Sequence, residues 1–328
     1  MSVDKITSLQ QLGQHRRAPP QPLSNEAEPS WQSRCIDALL RLLPIKKRMA
    51  SAAAVQEHLR QLALRPASFE PTGLGRGVEV RKTQVAGWPV YYTAPSDSPD
   101  TGDYVMFLHG GGYINEIVRA HWKFVAYLTR NARVRCVVPI YPLAPHATAQ
   151  EVVPGTGWLL RKVMEDAGPA KVTVVGNSAG AGLALAATQW LREHGCRQPD
   201  GLVLISPGLS ASLDTARHRA AAARDPINDI PGTLEAGRLY AGELSVEHPY
   251  VSPLNGDMHG LAPMLVFSGT HDLLYPDSVD LAAKATAAGV PVELHLRRGQ
   301  PHNYVGMPTP EGRQAREIIL RALARHAH

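Results

Sequence analysis

The sequence predicts an α/β fold in which a mostly parallel central sheet is flanked by helices. From residue 77 onward, short apolar runs alternate with helical segments, which is the pattern of parallel strands joined by helical crossovers. Several of these runs are apolar throughout, as expected of strands that are buried on both faces. The chain has 328 residues, 44% hydrophobic and 19% charged. It is therefore long enough to bury a large core and too apolar to be disordered as a whole.

Eight apolar runs are predicted as strands, and several of the segments between them as helices. The strands are predicted at 78–80, 90–93, 104–108, 135–140, 171–175, 202–205, 264–267 and 292–296. Helices are predicted at 121–131, 180–194 and 278–289. The long stretch between residues 205 and 264 carries mostly helix and turn signals. We therefore expect residues 208–250 to form an excursion over one face of the sheet.

The N-terminal part of the chain has a different pattern. Residues 13–30 contain four prolines among polar residues, which predicts a loop or mobile arm over residues 1–30. Two amphipathic helices are expected to follow, because apolar residues recur there at helical spacing. These residues are Trp31, Cys35, Leu39 and Leu43 in the first helix and Val55, Leu59 and Leu62 in the second. Their apolar faces need a partner surface.

The charge balance gives little reason to expect a polyanionic partner. The chain carries 34 Lys and Arg against 29 Asp and Glu, a net charge of +5. Residues 1–65 hold 10 basic and 5 acidic residues, so the remainder holds 24 of each sign. A basic arm could reach nucleic acid or an anionic membrane, but aromatic stacking residues are not interleaved with these charges. We interpret the excess as a solvated surface, and no nucleic acid is expected as a partner.

Cysteine usage and the first residues favour a cytoplasmic location. Cys35, Cys136 and Cys196 are few and widely spaced, which suits a reducing compartment better than a disulfide framework. The start of the sequence has no apolar core of a signal peptide, and no run is long enough for a membrane span. No cofactor or metal is expected, since the sequence lacks HExxH and paired CxxC motifs and the glycines at 73–77 precede a strand.

The sharpest local signal is the sequence GNSAG at 176–180, directly after one predicted strand and before a helix. A serine in such a tight strand-to-helix turn needs small neighbours, because the backbone approaches other segments closely. The turn holds the Ser178 hydroxyl above the sheet, where the helix N-terminus favours developing negative charge. A phosphate-binding loop or a plain turn is the alternative. We predict that Ser178 is a nucleophile.

A second signal is HGGGY at 109–113, at the end of the predicted strand 104–108. Three successive glycines leave backbone N–H groups unshielded, as an oxyanion hole requires. A glycine run alone would more often be a flexible turn. Its position at a strand end, ahead of the serine turn, favours the functional interpretation.

A serine nucleophile needs a base and an orienting carboxylate, which follow it in the order acid, then histidine, in enzymes with this turn. Asp272 follows the strand 264–267, and His302 lies in the loop after the strand 292–296. Parallel strands bring their carboxyl ends to one edge, so we predict Asp272 as the acid and His302 as the base. The rejected alternatives were Asp277, Asp257, His271, His295, His326 and His328.

These motifs as a set resemble the hormone-sensitive lipase family of α/β hydrolases, the bacterial acetyl-esterase and short-chain carboxylesterase type. Further motifs that carry the resemblance are YPLAP at 141–145, SPL at 252–254, THDLL at 270–274, AGVPVEL at 288–294 and PHNY at 301–304. The resemblance implies an α/β-hydrolase fold and a Ser178, Asp272, His302 triad. It also implies an oxyanion hole made by the N–H groups of Gly110, Gly111 and Ala179.

The resemblance also implies a division of the chain and a function. Residues 31–75 would be N-terminal cap helices, and residues 76–328 a catalytic domain with a cap insertion at about 208–250. The function would be hydrolysis of short-chain acyl esters, with an amidase, a natural-product deacetylase, a ligand-binding protein or a lyase as alternatives. A homodimer through the last strand is plausible. Residues that flank the catalytic loops or lie in the insertion are candidates for substrate contact or for packing. These are Tyr113, Ile114, Leu209, Ile227, Tyr240, Asn303 and Tyr304.

Three motifs depart from the family pattern. Asn177 stands where the serine turn commonly has an aspartate, with Ala181 in place of the last glycine. His146 stands where an acidic residue is usual. The loop of His302 continues with Asn303 and Tyr304 where the family usually has a phenylalanine two residues after the histidine, so Tyr304 is expected to direct a hydroxyl towards the pocket.

Overall fold

The structure is a computed structural model that describes residues 27–97, 99–213 and 215–325. Residues 1–26 of the predicted arm lie outside the described residues, as do His326 and His328. No helix in the described ranges combines the length and apolar character needed to cross a membrane.

The centre of the fold is a sheet of eight strands, counted over the described residues, in the order β1-β2-β4-β3-β5-β6-β7-β8. Strands β1 and β2 form an antiparallel hairpin, β2 pairs antiparallel with β4, and the remaining pairs are parallel. The predicted α/β fold with a mostly parallel sheet is confirmed. The strands are β1 Val78–Val85, β2 Trp88–Pro95, β3 Tyr104–Leu108, β4 Arg135–Pro139, β5 Val172–Asn177, β6 Gly201–Ile205, β7 Met264–His271 and β8 Val292–Pro301.

Four strands were predicted too short, namely the edge strands β1 and β8 and their neighbours β2 and β7. The first run extends from 78–80 to Val85 and turns into β2 through Ala86 and Gly87, which both have positive φ. This is the two-residue turn that suits a twisted hairpin. Most of β1 is exposed, so its sequence is polar and lacks the apolar signal of a buried strand. β5 in the centre is buried throughout, and its apolar run was recognised.

Helices cover both faces of the sheet. They are α1 Trp31–Leu42, α2 Ala52–Ala63, α3 Arg119–Ala132, α4 Ala149–Ala167, α5 Ala179–Glu193, α6 Ala216–Ala222, α7 Ile230–Ala241, α8 Tyr275–Ala287 and α9 Pro310–Arg325. Side chains alternate along each strand, so Met106 and Leu108 join one apolar core with α4, α5 and α8. Val105 and Phe107 join a second core on the opposite face with α3 and α9. The carboxyl ends of the parallel strands meet at one edge of the sheet, where the loops that follow them can carry functional side chains.

The two N-terminal helices dock at different places. At α1, Ser33 is buried and its hydroxyl binds Gln300 (3.1 Å) and Glu311 (2.7 Å) of the β8 and α9 region. At α2, Gln56 donates to Glu235 of α7 (2.5 Å). Between these helices, residues Lys46–Met49 form a short 3₁₀ turn that also packs on α7. The N-terminal segment therefore bridges the body of the fold and the insertion that carries α6 and α7.

The contact between the 3₁₀ turn and α7 leaves no room for a side chain at Gly232. A Cβ there would lie 2.5 Å from the Met49 carbonyl oxygen and 2.7 Å from its carbonyl carbon. We predict that Gly232→Ala lowers the free energy of unfolding by about 1–3 kcal/mol, the usual cost of overpacking. Urea denaturation measures this. Gly306→Ala is the control, because its Cβ would meet nothing within 4 Å; equal stability of the two variants would refute the tight contact.

Candidate active site

Ser178 lies at the tight turn between β5 and α5. Its backbone has φ 54° and ψ −125°, a strained conformation for a residue with a side chain, and such strain is concentrated at functional sites. The turn is possible because its neighbours are small. A Cβ on Gly180 would collide with the carbonyl of Leu108 and lie 2.5 Å from the His109 oxygen, and one on Gly176 would collide with the Gly180 carbonyl. The start of α5 therefore lies directly against the end of β3.

The structure brings Ser178, His302 and Asp272 together. His302 Nε2 is 2.9 Å from Ser178 Oγ, and His302 Nδ1 is 3.0 Å from Asp272 Oδ2. Asp272 follows β7 and His302 follows β8, so neighbouring strand ends supply both side chains. Asp272 is fully buried and His302 nearly so. Both contacts lie within the distance that proton transfer requires.

Burial disfavours the charged form of His302, but the carboxylates around it outweigh burial. The charge and hydrogen bond of Asp272, together with the charge of Asp225, raise the pKa of His302 above its ordinary value. The arrangement thus makes His302 a stronger base than an imidazole in water. Asp225 was not among the predicted residues.

The residues rejected as partners of Ser178 have other contacts. Asp277, in the first turn of α8, binds His218 of α6 at 2.9 Å, and both side chains are buried. Asp257 pairs with Arg192 and His259 at the surface. His271 faces Asp37 at 3.6 Å, and His295 contacts Glu293 at 2.7 Å. These four residues are held away from Ser178 by the contacts they make.

The glycine loop after β3 lies beside Ser178, but its first N–H is already in use. Gly110 N–H donates to Asn177 Oδ1 at 3.0 Å, so the structure does not leave Gly110 free for an oxyanion, contrary to the prediction. Neither Gly111 N–H nor Ala179 N–H has an acceptor among the described residues. These two groups remain available as donors next to Ser178.

The side-chain amide of Asn177 lies beside the imidazole of His121, which cannot accept a hydrogen bond from it. His121 Nδ1 accepts the N–H of Val118 at 3.1 Å, so a neutral ring carries its proton on Nε2. Burial lowers the pKa of His121 to about 3, which keeps the ring neutral. Asn177 Nδ2, also a donor, lies 3.3 Å from that Nε2. A carboxylate at position 177 would accept from both Gly110 and His121, whereas the amide serves only Gly110.

His109, the first residue of the glycine loop, is packed as a neutral side chain. Its ring stacks on Tyr141 with centroids 4.4 Å apart, and the Tyr141 hydroxyl donates to the His109 carbonyl at 2.6 Å. Burial lowers the pKa of His109 to about 4. The loop is thereby fixed from behind by an aromatic contact and carries no charge.

A cavity of about 440 Å³ opens onto Ser178 and His302. Four of the seven candidate contact residues line it: Tyr113, Ile114, Ile227 and Asn303. The N-terminal segment contributes further lining residues that were not predicted, namely Ile45, Arg48, Met49 and His58. The amphipathic pattern of that segment predicted that it packs somewhere, but no local signal identified the surface.

The other three candidates are packing residues. Leu209 is fully buried in the core. Tyr240 stacks on Tyr113 with ring centroids 3.6 Å apart and an interplanar angle of 1°. Tyr304 is buried in the core on the opposite face of the sheet, so the expectation that its hydroxyl reaches the pocket is wrong. His146 is exposed and does not line the cavity.

Comparisons with known proteins agree with this geometry. Residues 105–306 match a family model described as alpha/beta hydrolase fold. A triacylglycerol lipase of Mycobacterium tuberculosis is 34% identical over 72% of this chain, which spans 49% of that lipase. An acetyl-hydrolase of Streptomyces hygroscopicus is 31% identical over 66% of this chain and 74% of its own length. The crystal structure of a hormone-sensitive lipase from a metagenome library superposes with a TM-score of 0.77 at 26% identity, covering 92% of this chain and all of that one.

The hydrogen bond between Gly110 and Asn177 is testable through stability. Asn177→Ala would leave a buried N–H without an acceptor, and we expect a loss of about 1–3 kcal/mol in the free energy of unfolding. Asn177→Asp keeps the acceptor and gains a partner in His121, so it should be more stable than Asn177→Ala. Urea denaturation at neutral pH measures both. An alanine variant as stable as the original protein would contradict the role given to this bond.

Proposed function

The chain belongs to the hormone-sensitive lipase family of α/β hydrolases, and on that basis we propose that it is a serine carboxylesterase that hydrolyses short-chain acyl esters. The observation that carries the proposal is the continuous hydrogen-bonded path from Ser178 through His302 to Asp272. Such a path is the requirement for a nucleophilic serine at neutral pH. The names of the similar proteins, an acetyl-hydrolase and a triacylglycerol lipase, support an ester substrate.

In the proposed reaction, the Ser178 Oγ–C bond forms as His302 Nε2 takes the hydroxyl proton. Asp272 accepts the other ring N–H, which keeps the imidazole oriented and stabilises its cationic form. The carbonyl oxygen becomes an oxyanion, which would accept hydrogen bonds from Gly111 and Ala179 N–H at the positive end of α5. The tetrahedral intermediate then collapses, since the carbonyl re-forms, the C–O bond to the alcohol breaks, and His302 gives its proton to the departing alcohol oxygen. Water repeats the sequence on the acyl-enzyme, which restores Ser178.

The cavity supports a small substrate. Its volume of about 440 Å³ has to hold both the acyl and the alcohol groups. The stacked rings of Tyr113 and Tyr240 fill the space between the glycine loop and α7. We propose that the N-terminal segment and the insertion at 208–250 together form a cap over this cavity, because residues of both line it.

The proposed nucleophile can be tested by substitution. We expect Ser178→Ala to lower kcat/KM for p-nitrophenyl butyrate by about 10⁴-fold or more, because the attacking atom is removed. A fluorophosphonate probe should label the unaltered protein and not this variant. Ser210→Ala is the matched control, since Ser210 lines the same cavity and should still be labelled. Full activity in Ser178→Ala would rule out the mechanism.

The chain-length preference needs a separate experiment. We expect kcat/KM for p-nitrophenyl acetate and butyrate to exceed that for the dodecanoate by about 10-fold or more, because misfit of even a few methylenes in a small pocket costs that much. Initial rates below the micelle concentration of the long ester give the comparison. A preference for the twelve-carbon ester would overturn this part of the proposal while leaving the esterase assignment intact. A panel of matched amides tests the alternative of an amidase.

A further inference from the structure

Asp225 is a buried carboxylate in the loop between α6 and α7. Its exposed fraction is 0%. Its Oδ1 accepts the N–H groups of Ile227 at 2.7 Å and Asn228 at 2.9 Å. These bonds close the turn that leads into α7, and they would be enough to explain a structural aspartate in this loop. Within the same loop, the second oxygen, Oδ2, accepts a longer bond from Asn228 Nδ2 at 3.4 Å.

The second oxygen connects the insertion to the loop of the proposed acid. Asp225 Oδ2 accepts the N–H of Leu273 at 2.7 Å, and Leu273 is the residue that follows Asp272. Asp272 in turn binds Leu274 N–H through Oδ1 (2.9 Å) and His302 through Oδ2. Two carboxylates are thus built into one tight turn, one from the insertion and one from β7. The insertion thus supplies a hydrogen bond to the turn that carries Asp272.

Charged and titratable groups surround Asp225 from several elements. Asp272 and His302 lie in the loops after β7 and β8, and the charge of Asp225, after that of Asp272, acts on the pKa of His302 in the direction of a stronger base. Burial and the charge of Asp272 raise the pKa of Asp225 itself. From the N-terminal 3₁₀ turn, Lys46 Nζ donates to the carbonyls of Ala222 (2.5 Å) and Asp225 (2.9 Å). The neighbouring Arg224 has an exposed side chain.

We propose that Asp225 is a positioning residue for the reaction, which fixes the turn of Asp272 and places a second negative charge behind His302. This inference rests on the proposed function, because His302 must act as the base. Lys46 joins the N-terminal segment to the same loop through the Asp225 carbonyl. The N-terminal segment and the insertion are therefore joined at the loop of Asp225, besides lining the cavity together.

The acid limb of the pH–rate profile tests this role. The base works only when His302 is neutral, so kcat/KM falls as the pH drops through its pKa. Asp225→Asn removes one of the two carboxylate charges that raise this pKa, the other being Asp272, so the limb should move to lower pH by about half a unit or more, a typical effect of one nearby charge. We also expect kcat to fall by about 10-fold, because the amide nitrogen would face the N–H of Leu273 and disturb the turn of Asp272.

The matched control is Asp277→Asn, which removes another buried carboxylate that joins the insertion to the body through His218. It should leave the acid limb in place, because Asp277 does not act on His302. If Asp225→Asn does not fold, Asp225→Glu and Asp225→Gln replace it. These two have equal length and differ in charge, so the limb should lie at lower pH in the Gln variant.

The outcomes separate this inference from the proposed function. An unchanged limb in Asp225→Asn, equal limbs in the Glu and Gln variants, or the same shift in Asp277→Asn would each overturn the role of Asp225. The proposed function fails instead if Ser178→Ala retains activity, whatever the Asp225 variants do. A lower kcat with an unmoved limb would assign Asp225 a structural role alone.

Discussion

The close contact between the start of α5 and the end of β3 is the constraint on which the site depends. Gly180 lies so near the carbonyls of Leu108 and His109 that no side chain fits between them. This contact holds Ser178 in its positive-φ conformation and sets the glycine loop beside it. Of the two free N–H groups, that of Gly111 lies in the loop after β3 and that of Ala179 at the start of α5. If α5 lay farther from β3, Ser178 and the glycine loop would still be present, but they could not act on the same substrate atoms.

The surrounding structure also fixes Asp272 and His302. Asp272 and His302 stand at the ends of adjacent parallel strands, and their spacing follows from the pairing of β7 with β8. The insertion then adds a hydrogen bond to the turn of Asp272 through Asp225. The N-terminal segment packs on the insertion at Gly232 and lines the cavity. The N-terminal segment thus restrains the insertion, and the insertion restrains the turn that carries Asp272.

The sequence predicted what rests on local geometry and missed what rests on contacts between distant segments. The strand ends, the serine turn and the histidine and aspartate loops were recognised because small residues and apolar runs mark them directly. β1 was predicted too short because an exposed edge strand has polar residues. Gly110 was assigned a free N–H because nothing local shows that Asn177 accepts it. Tyr304 was expected at the pocket because it lies two residues after His302, but the side chain is buried in the second core. Asp225 lies far from Asp272 in sequence, and no motif connects the two.

The neutral groups behind the glycine loop have an electrostatic consequence. An amide at position 177 contacts Gly110, and the imidazoles of His109 and His121 are kept uncharged by burial. The two carboxylates of this region, Asp272 and Asp225, act on His302. In the proposed reaction, negative charge is therefore placed around the group that receives the proton, and the glycine loop beside the forming oxyanion carries none. A carboxylate at position 177 would add a negative charge next to that loop, so Asn177 contributes to the electrostatic polarity of the proposed site without taking part in the reaction.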